Sequence, residues 1–207
     1  MYSPPAFSVS DAEEIRAIVH ACRLATFVTA TDQGPLVTPL PMIFDEHEGP
    51  HGTLYGHMAR ANPQWQVPTI GDSLALFSGP DAYVSPSWYA AKAEHGKVVP
   101  TWNYVAVEAR GPVEFFDDPT RLRDCVTRLT ERHEGQRAAP WAVSDAPEAF
   151  IAAHLRGIVG LRIPITAVIG KKKLSQNRPE ADRAGVKTGL AASADPMDRI
   201  VGALIPE

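Results

Sequence analysis

A short stretch before the middle of the chain combines residue types that could hold an anion. His57 lies near the end of a run, residues 52–58, that reads as a strand, and Arg60 and Asn62 follow this run. A guanidinium can hold a phosphate through two parallel hydrogen bonds, and a helical turn starting at Asn62-Pro63 would add backbone N–H donors. The spacing leaves two interpretations open, an anion site and a solvated loop arginine.

A second polar stretch lies near the C-terminal end of the chain. Residues 171–178 carry three lysines and an arginine around a Ser-Gln-Asn group, with Lys173, Ser175, Gln176 and Asn177 as the binding candidates. These side chains could clamp an anion or the polar edge of a ring. They could also form an ordinary solvated basic loop, which is the interpretation that composition alone favours.

Aromatic residues are concentrated between these two stretches. Residues 79–107 hold two of the 4 tryptophans and three of the 5 tyrosines, interrupted by three prolines. Because proline disrupts helices, short strands and ordered loops are predicted here. The rings are either packing for a β-core or walls for a planar ligand, and Trp102 and Asn103 lie at the start of a predicted strand.

Composition limits the classes of function. The chain has 207 residues, a formal net charge of −4 and a pI of about 6.0, which does not favour nucleic acid over the whole surface. Cys22 and Cys125 are predicted to be small buried hydrophobes. The N-terminus lacks signal-peptide features, and no apolar run approaches the roughly 20 residues of a membrane span. A soluble cytoplasmic protein is the expectation.

Periodicity and turn signals predict strands with helices between them, in one domain. The predicted strands are 24–30, 36–44, 52–58, 73–78, 102–116 and 158–169. The predicted helices are 11–22, with a Ser10–Glu13 capping box, one capped by Asp118 that ends near 133–135, 144–156 and a weak one at 195–205.

Two prolines affect the second predicted strand. Pro39 and Pro41 lie two residues apart, and each lacks the N–H that a neighbouring strand would need. One edge of this strand is therefore predicted to be incompletely paired. Either a ligand or a partner chain lies along it, or it is an ordinary protected edge strand.

Several motifs, in order, make the chain resemble the PaiB-type family. They are GHMARANPQW (56–65), FSGPDAYVSPSWY (77–89), VVPTWNYVAV (98–107) and KLSQNR (173–178). Members of this family are described as FMN-binding negative transcriptional regulators within the split-barrel flavoprotein superfamily. The likeness covers roughly residues 1–190, expected to be a single split-barrel domain with peripheral helices, and leaves residues 191–207 as a tail.

The resemblance implies a mainly β fold with helices (α+β), built on a six-stranded antiparallel split barrel that forms a homodimer. FMN would lie in the cleft between subunits, with its phosphate on Arg60 and with His57 and Asn62 beside it. The segment from Thr38 through Leu40 to Pro41 would pass the isoalloxazine edge through its backbone. The remaining implied FMN contacts are Trp102, Asn103, Lys173, Ser175, Gln176 and Asn177.

Three functions stay open at this point. The resemblance implies an FMN-binding regulator. A DNA-binding regulator without catalysis is the second, although no helix-turn-helix spacing is present and Lys171–Lys173 is the one candidate basic patch. The third is an FMN- or haem-dependent oxidoreductase, in which haem would need His57 or His133 as axial ligand. No residue stands out as a catalytic acid or nucleophile, and no metal site is predicted in the polar loop 45–51.

Overall fold

The structure, a computed structural model, describes residues 1–207 and contains ten strands and six α-helices. The strands are β1 (Ser8–Val9), β2 (Ala25–Thr31), β3 (Gly34–Leu40), β4 (Met42–Asp45), β5 (Thr53–Ala59), β6 (Ser73–Val84), β7 (Thr101–Gly111), β8 (Glu114–Phe116), β9 (Ile158–Pro164) and β10 (Ala167–Lys173). The helices are α1 (Ala12–Ala21), α2 (Ala91–His95), α3 (Pro119–Glu134), α4 (Glu148–Leu155), α5 (Glu180–Ala191) and α6 (Pro196–Leu204). The sheets are open and mainly antiparallel, which confirms the predicted α+β class.

The chain divides into two compact units. The first contains residues 1–21, 78–107 and 169–207, and the second contains residues 22–77 and 108–168. The long strands β6 and β7 each pass from one unit to the other. The segment 191–207 belongs to the first unit, while the assignment of residues 1–190 to one domain stays a prediction.

The first unit contains the strand order β1-β10-β7-β6. The two-residue strand β1 pairs with β10, with Ser8 opposite Lys171 and Val9 opposite Gly170. Helix α5 lies close to the turn at Trp88, because a Cβ on Gly185 would stand 1.9 Å from the carbonyl oxygen of Trp88. Glycine is therefore required at this contact. The core of this unit includes Val84, Val107, Val186, Leu190 and Val201, all fully buried.

The second unit contains two groups of strands. One has the order β7-β6-β2-β3, with β3 at its edge, and the other has the order β4-β5-β9-β8. Helices α3 and α4 pack on this second group through Leu122, Ile151 and Leu155, which contact Phe116. The most deeply buried side chains of the unit are Phe27, Leu54, Phe77, Leu161 and Ile163.

Proline and glycine account for most differences from the predicted strands. The strand predicted at 36–44 is broken at Pro41 into β3 and β4, and the one predicted at 158–169 stops at Pro164 before β10 begins. Proline removes a donor and fixes φ, which favours such breaks. The strand predicted to end at Ser78 instead continues to Val84. The break predicted at Gly111-Pro112 is confirmed.

Helix starts follow their capping residues. Asp118 accepts a hydrogen bond from the N–H of Arg121 at 2.8 Å, with Pro119 at the first helical position, as predicted. For α1 the predicted Ser10 cap is wrong by one residue, because Asp11 accepts from the N–H of Glu14 at 2.8 Å. Helix α6 confirms the predicted helix at 195–205, while α2 and α5 were not predicted.

Candidate functional site

In the second unit, Thr38 of the edge strand β3 and Asn62 belong to one hydrogen-bond network. The Thr38 hydroxyl donates to Oε1 of Gln64 at 2.6 Å, and the Asn62 amide donates to Thr38 Oγ1 at 2.8 Å. Asn62 Oδ1 accepts from the backbone N–H of Gln64 at 3.0 Å and so caps the 3₁₀ turn Pro63–Gln66. The helical turn predicted after Asn62 is therefore present.

Gln64 is the residue that sequence reasoning missed at this network. It is only 2% exposed, and its amide donates to Thr29 Oγ1 at 3.0 Å and to the Leu36 carbonyl at 3.2 Å. Its place inside the GHMARANPQW motif was the available signal. Leu40 is buried in the core opposite Ala25, so only its backbone is available for the predicted ligand contact.

Arg60 follows β5 and is held by groups of its own unit. Its Nε donates to the carbonyl of Arg156 at 2.8 Å and its Nη2 to the carbonyl of Ile158 at 3.2 Å. Its Nη1 lies 3.4 Å from an oxygen of Asp117, and the guanidinium lies 5.7 Å from the ring centre of Trp65. Because a guanidinium has five N–H donors, two remain for a further acceptor.

His57 lies on β5 opposite Gly160. Its Nδ1 is buried and has no hydrogen-bond partner. Burial lowers the pKa of this imidazole, so the neutral form is favoured at pH 7. An unpartnered buried nitrogen is uncommon in proteins, and a ligand is one way to satisfy it.

In the first unit, a pocket of about 140 Å³ gathers several of the predicted residues. The polar side chains that line it are Thr101, Asn103, Lys173, Ser175, Asn177 and Arg178, and Phe7 and Tyr89 complete the wall. No carboxylate lines this pocket. With a lysine, an arginine and neutral hydrogen-bonding groups, it favours a ligand atom that carries negative charge.

Asn103 and Ser175 form a buried pair in this pocket. The amide nitrogen of Asn103 lies 3.0 Å from Ser175 Oγ, and the two side chains are 0% and 4% exposed. Ser175 has a φ of 64°, the one positive φ outside glycine. A left-handed serine is a costly conformation that often marks functional sites, so this loop is held in a particular shape.

Lys173 is the cation beside this pair. Its Nζ contacts the Thr101 hydroxyl and donates to the carbonyl of Trp102 at 2.9 Å. Burial lowers the pKa of the Lys173 ammonium. The guanidinium of Arg178 lies 4.8 Å from the ring centre of Tyr89, which fixes the second cation of the pocket.

The other predicted residues of this region have different environments. Gln176 bonds back to its own loop, through the N–H of Leu174 at 2.7 Å and the carbonyl of Lys172 at 2.5 Å. Asn177 is exposed and lines the pocket. Trp102 is 53% exposed and meets Tyr83 edge to face, with ring centres 5.9 Å apart. Trp102 thus offers an aromatic surface that the chain does not cover.

The lysine run is not a solvated loop. Lys171 is only 7% exposed, and its ammonium donates to the carbonyl of Tyr2 at 3.0 Å and lies 5.0 Å from the ring centre of Tyr104. Lys172 is paired with Glu14. All three lysines belong to β10, so the interpretation as a solvated basic loop was wrong.

The two cysteines confirm the prediction made for them. Cys22 and Cys125 form no disulfide bond, and both are buried. Burial raises the pKa of both thiols, that of Cys125 to about 12. Because the thiolate is the reactive form, neither cysteine is suited to nucleophilic chemistry at neutral pH.

The fold is that of the split-barrel flavoproteins. The FAD- and haem-binding protein of Mycobacterium smegmatis matches with a TM-score of 0.57 and 16% identity, over 80% of this chain and 73% of that chain. The flavocytochrome Anf3 of Azotobacter vinelandii matches with a TM-score of 0.55 and 18% identity, over 86% and 74%. At these identities the likeness concerns the fold.

The chain belongs to the FMN_bind_2 family, described as "Putative FMN-binding domain", whose profile matches residues 1–167. It is 34% identical over 208 residues to the protein PAI 2 of Bacillus subtilis strain 168, named a protease synthase and sporulation protein. That match covers 100% of this chain and 97% of the relative. The predicted PaiB-type relationship and the predicted FMN cofactor are confirmed. None of the helices has the length and apolar character needed to cross a membrane.

The residues present fit a flavin in part. A flavin needs directed hydrogen bonds for its polar ring edge, which the Asn103–Ser175 pair and Lys173 can supply, while the unpartnered His57 Nδ1 is a further free polar atom. Whole-ligand pockets usually measure roughly 300–1,000 Å³. At about 140 Å³, the pocket around Lys173 accepts one part of a flavin and not the whole molecule.

Proposed function

We propose that the chain binds FMN with the polar edge of the isoalloxazine ring at the pocket around Lys173. The observation that carries the proposal is the buried Asn103–Ser175 pair beside a lysine, in a pocket without a carboxylate. The ring edge alternates carbonyl oxygens and an N–H, and an amide with a hydroxyl can both donate and accept. Lys173 would stabilise negative charge at this edge.

The aromatic surface next to the pocket supports a planar ligand. Trp102 precedes Asn103 in the chain, and its carbonyl accepts a hydrogen bond from the Lys173 ammonium. Its exposed indole ring packs edge to face against Tyr83. Stacking on such a ring would account for the part of the isoalloxazine that the small pocket cannot hold. FMN supplies the electron-transfer chemistry when bound, and these residues bind and orient it.

For the phosphate we propose Arg60, with Asn62 and His57 beside it and the backbone of Thr38 to Leu40 along the flavin. The two remaining guanidinium donors of Arg60 support this role. The Asp117 contact at 3.4 Å is long and lies at an exposed carboxylate, so a phosphate could replace it. This assignment is tested separately from the ring-edge pocket.

Titration with FMN and with riboflavin, which lacks the phosphate, separates the two assignments. We expect Lys173→Met to weaken both ligands by a similar factor, about tenfold for the loss of one charged hydrogen bond. Arg60→Ala should weaken FMN and leave riboflavin unchanged. Lys97→Met, at an exposed lysine, and Arg137→Gln, at an exposed arginine, are the matched controls.

Two results would contradict these assignments. Unchanged riboflavin and FMN affinities in Lys173→Met would remove the ring edge from this pocket, although FMN binding itself would stand. Equal weakening of riboflavin and FMN in Arg60→Ala would remove the phosphate from Arg60. Absorption and fluorescence of the bound flavin supply the readout.

We also propose that the protein is a homodimer that holds FMN between its subunits. Trp102, Tyr83 and Val99 are large apolar side chains exposed in the single chain, and a flavin with a second subunit would cover such surfaces. Light scattering after size exclusion, with and without FMN, measures the mass. A monomer at micromolar concentration in both states would refute the dimer.

A regulatory role in the cytoplasm is proposed from the PaiB-type relationship. The internal engagement of Lys171, Lys172 and Lys173 does not favour this segment as a DNA surface. Regulation through bound flavin and a protein or small-molecule partner is therefore preferred to direct DNA binding. A mobility-shift series over salt concentration decides, since DNA binding through phosphates weakens steeply with salt.

Haem in place of flavin is the second candidate, and it depends on His57. A buried, neutral imidazole with a free nitrogen is suited to an axial ligand. His133 lies exposed near the end of α3 and is less suited. Reconstitution with haem should give a Soret band that His57→Ala abolishes. A bound flavin spectrum with no Soret band would eliminate this candidate.

A further inference from the structure

The second unit contains a larger cavity, of about 600 Å³, that none of the predicted FMN contacts except Arg60 lines. Its apolar part comes from Pro119 and Leu122 of α3 and from Ala152 and Leu155 of α4. Cavities of this volume are the size that holds a small organic molecule. The position between two helices packed on one sheet is a frequent location for such sites.

Charged side chains surround this apolar part, and their charges do not cancel. Arg60 and Asp117 lie 3.4 Å apart, and Arg123 is paired with Glu148. Arg156 also lines the cavity, and its one hydrogen bond goes from Nη1 to the carbonyl of Ala152 at 3.1 Å. The cavity thus has three guanidinium groups and two carboxylates, which leaves one positive charge without a counter-charge.

Arg156 has the free donors that recognition of an acid requires. Four of its five N–H groups make no hydrogen bond within the protein. A guanidinium binds a carboxylate through two parallel hydrogen bonds. Its position at the end of α4 places these donors beside the apolar side chains Ala152 and Leu155.

We propose that this cavity binds a small organic monoanion, a carboxylate head on Arg156 with a hydrocarbon body against Leu122 and Leu155. One uncompensated positive charge matches one negative charge. A second negative charge on the head would meet no further free cation, because Arg60 is proposed above for the FMN phosphate and Arg123 is paired with Glu148. The site is distinct from the proposed flavin ring-edge pocket, but it shares Arg60 with the proposed phosphate site.

The test is calorimetric titration with octanoate of the 207-residue protein saturated with riboflavin, which leaves Arg60 without a phosphate. Octanamide, its uncharged counterpart, and octyl phosphate are titrated in parallel. We expect octanoate to bind at least about tenfold more tightly than either compound, the factor that corresponds to one charge-assisted hydrogen bond. Arg156→Gln should remove this preference, and Arg156→Lys should retain part of it.

Two further variants guard against indirect effects. Ala152→Phe fills the cavity and should abolish octanoate binding while keeping the flavin spectrum. Arg137→Gln, which removes an exposed arginine elsewhere in the same unit, should bind octanoate normally. Retention of the flavin spectrum in every variant shows that it is folded.

Several results would overturn the proposal. Absence of octanoate binding would do so, as would equal affinity for octanamide or an unchanged affinity in Arg156→Gln. Octanoate that binds flavin-free protein but is displaced by riboflavin, which has no phosphate, would assign the cavity to the flavin ring instead. That last outcome would leave FMN binding intact, so the two proposals fail in different ways.

Discussion

At the scale of single residues, three consecutive lysines illustrate how neighbours decide a role. Lys171 is enclosed by tyrosines, Lys172 is paired with a carboxylate, and Lys173 faces a pocket without one. Only Lys173 combines a charge with a space for a ligand. The alternation of side-chain direction along β10 places Lys172 on the face opposite Lys171 and Lys173, and different neighbours then distinguish these two.

The titration of Lys173 leads to a pH prediction. Burial lowers the pKa of this ammonium in the protein, so it loses its proton at a lower pH than an ordinary lysine. If its charge contributes to binding, riboflavin affinity should fall as pH rises through this lowered pKa. Titrations between pH 7 and 10 measure the fall.

The control for this prediction is the same series in Lys173→Met. The variant has no ammonium, so any remaining pH dependence belongs to the flavin or to other groups. Lys173→Arg should hold its affinity to higher pH, because arginine stays protonated. Identical profiles for the wild type and Lys173→Met would show that the ammonium does not act in binding.

The sequence points to candidate site residues but not to their partners. Residue type and motif single out Arg60, Asn62 and the loop from Lys173 as candidates. Gln64 was not a candidate, because a buried glutamine gives no periodic signal and its side-chain hydrogen bonds go to the distant residues Thr29, Leu36 and Thr38. The pairing of Arg60 with Asp117 was equally beyond prediction, since it joins residues 57 positions apart.

At the scale of elements, α3 is held by one buried face, on which Leu122 is the most deeply buried of three residues. Leu122 is 1% exposed and lies in a cluster with Phe116, Ile151 and Leu155. The helix therefore depends on packing against its neighbours more than on its own propensity. The same residue also lines the large cavity, so the cluster connects stability to the proposed site.

We expect Leu122→Ala to lower the free energy of unfolding by about 2–5 kcal/mol, through lost burial and the void that remains. Leu24→Ala, at a leucine that is 56% exposed, should change it by no more than about 0.5 kcal/mol. Urea unfolding followed by circular dichroism gives both values. A small effect at Leu122 would mean that the cluster can collapse around the shorter side chain.

The loop 45–51 is joined to the sheet by a charged network. Glu48 accepts a hydrogen bond from Tyr55 at 2.6 Å and is paired with Arg162, which also reaches Glu114. The hydrogen bond from Tyr55 lowers the pKa of Glu48, and Arg162 lowers it further. The hydrogen bond from Arg121 lowers the pKa of Glu114.

The lowered pKa values of Glu48 and Glu114 predict how the stability of the fold changes as the pH falls. Both carboxyl groups have lower pKa values in the folded state, so the unfolded state binds more protons near pH 4. Their contribution to stability is present above the ordinary glutamate pKa and is lost as pH falls through the lowered values. The unfolding temperature of Glu48→Gln should therefore fall less steeply between pH 6 and pH 3 than that of the wild type. An unchanged slope would contradict the prediction.

The sequence predicted those helices and strands whose bounds are set by neighbouring residues in the chain. Capping by Asp118 and the proline after it identified α3, and the alternation of 24–30 identified β2. Helix α5 was missed because its apolar residues Val186 and Leu190 stand among glycines that look unfavourable for a helix. Those glycines exist because Trp88 approaches too closely for a side chain, which is a tertiary requirement.

At the scale of the whole molecule, each compact unit is assembled from segments that are separate in the sequence. The family profile ends at residue 167, where β10 begins, and the pocket residues Lys173 and Ser175 and the helices α5 and α6 lie beyond that point. The first unit contains all of them, together with the first 21 residues. Its strand β1 has β10 as its partner, so the two ends of the chain are needed together.

A chain that stops at residue 167 should therefore lose the first unit. We expect fast hydrogen exchange in β1 and α1, because the partner strand is missing, and no riboflavin binding at the Lys173 pocket. The hairpin of β2 and β3, which lies in the second unit, should keep its protection. Full protection of β1 in the shortened chain would refute this dependence.

The pairing of β1 with β10 also has a consequence for biosynthesis. A ribosome delivers the amino terminus first, yet Ser8 and Val9 wait for residues 170 and 171 before their strand can form. All segments of the second unit are delivered by residue 168, so that unit can mature while the earliest segment is still unfinished. Ile15 of α1 lies beside Gly170 in the folded protein, so we expect the apolar face of α1 to stay uncovered during this interval and to be open to chaperones that hold nascent chains.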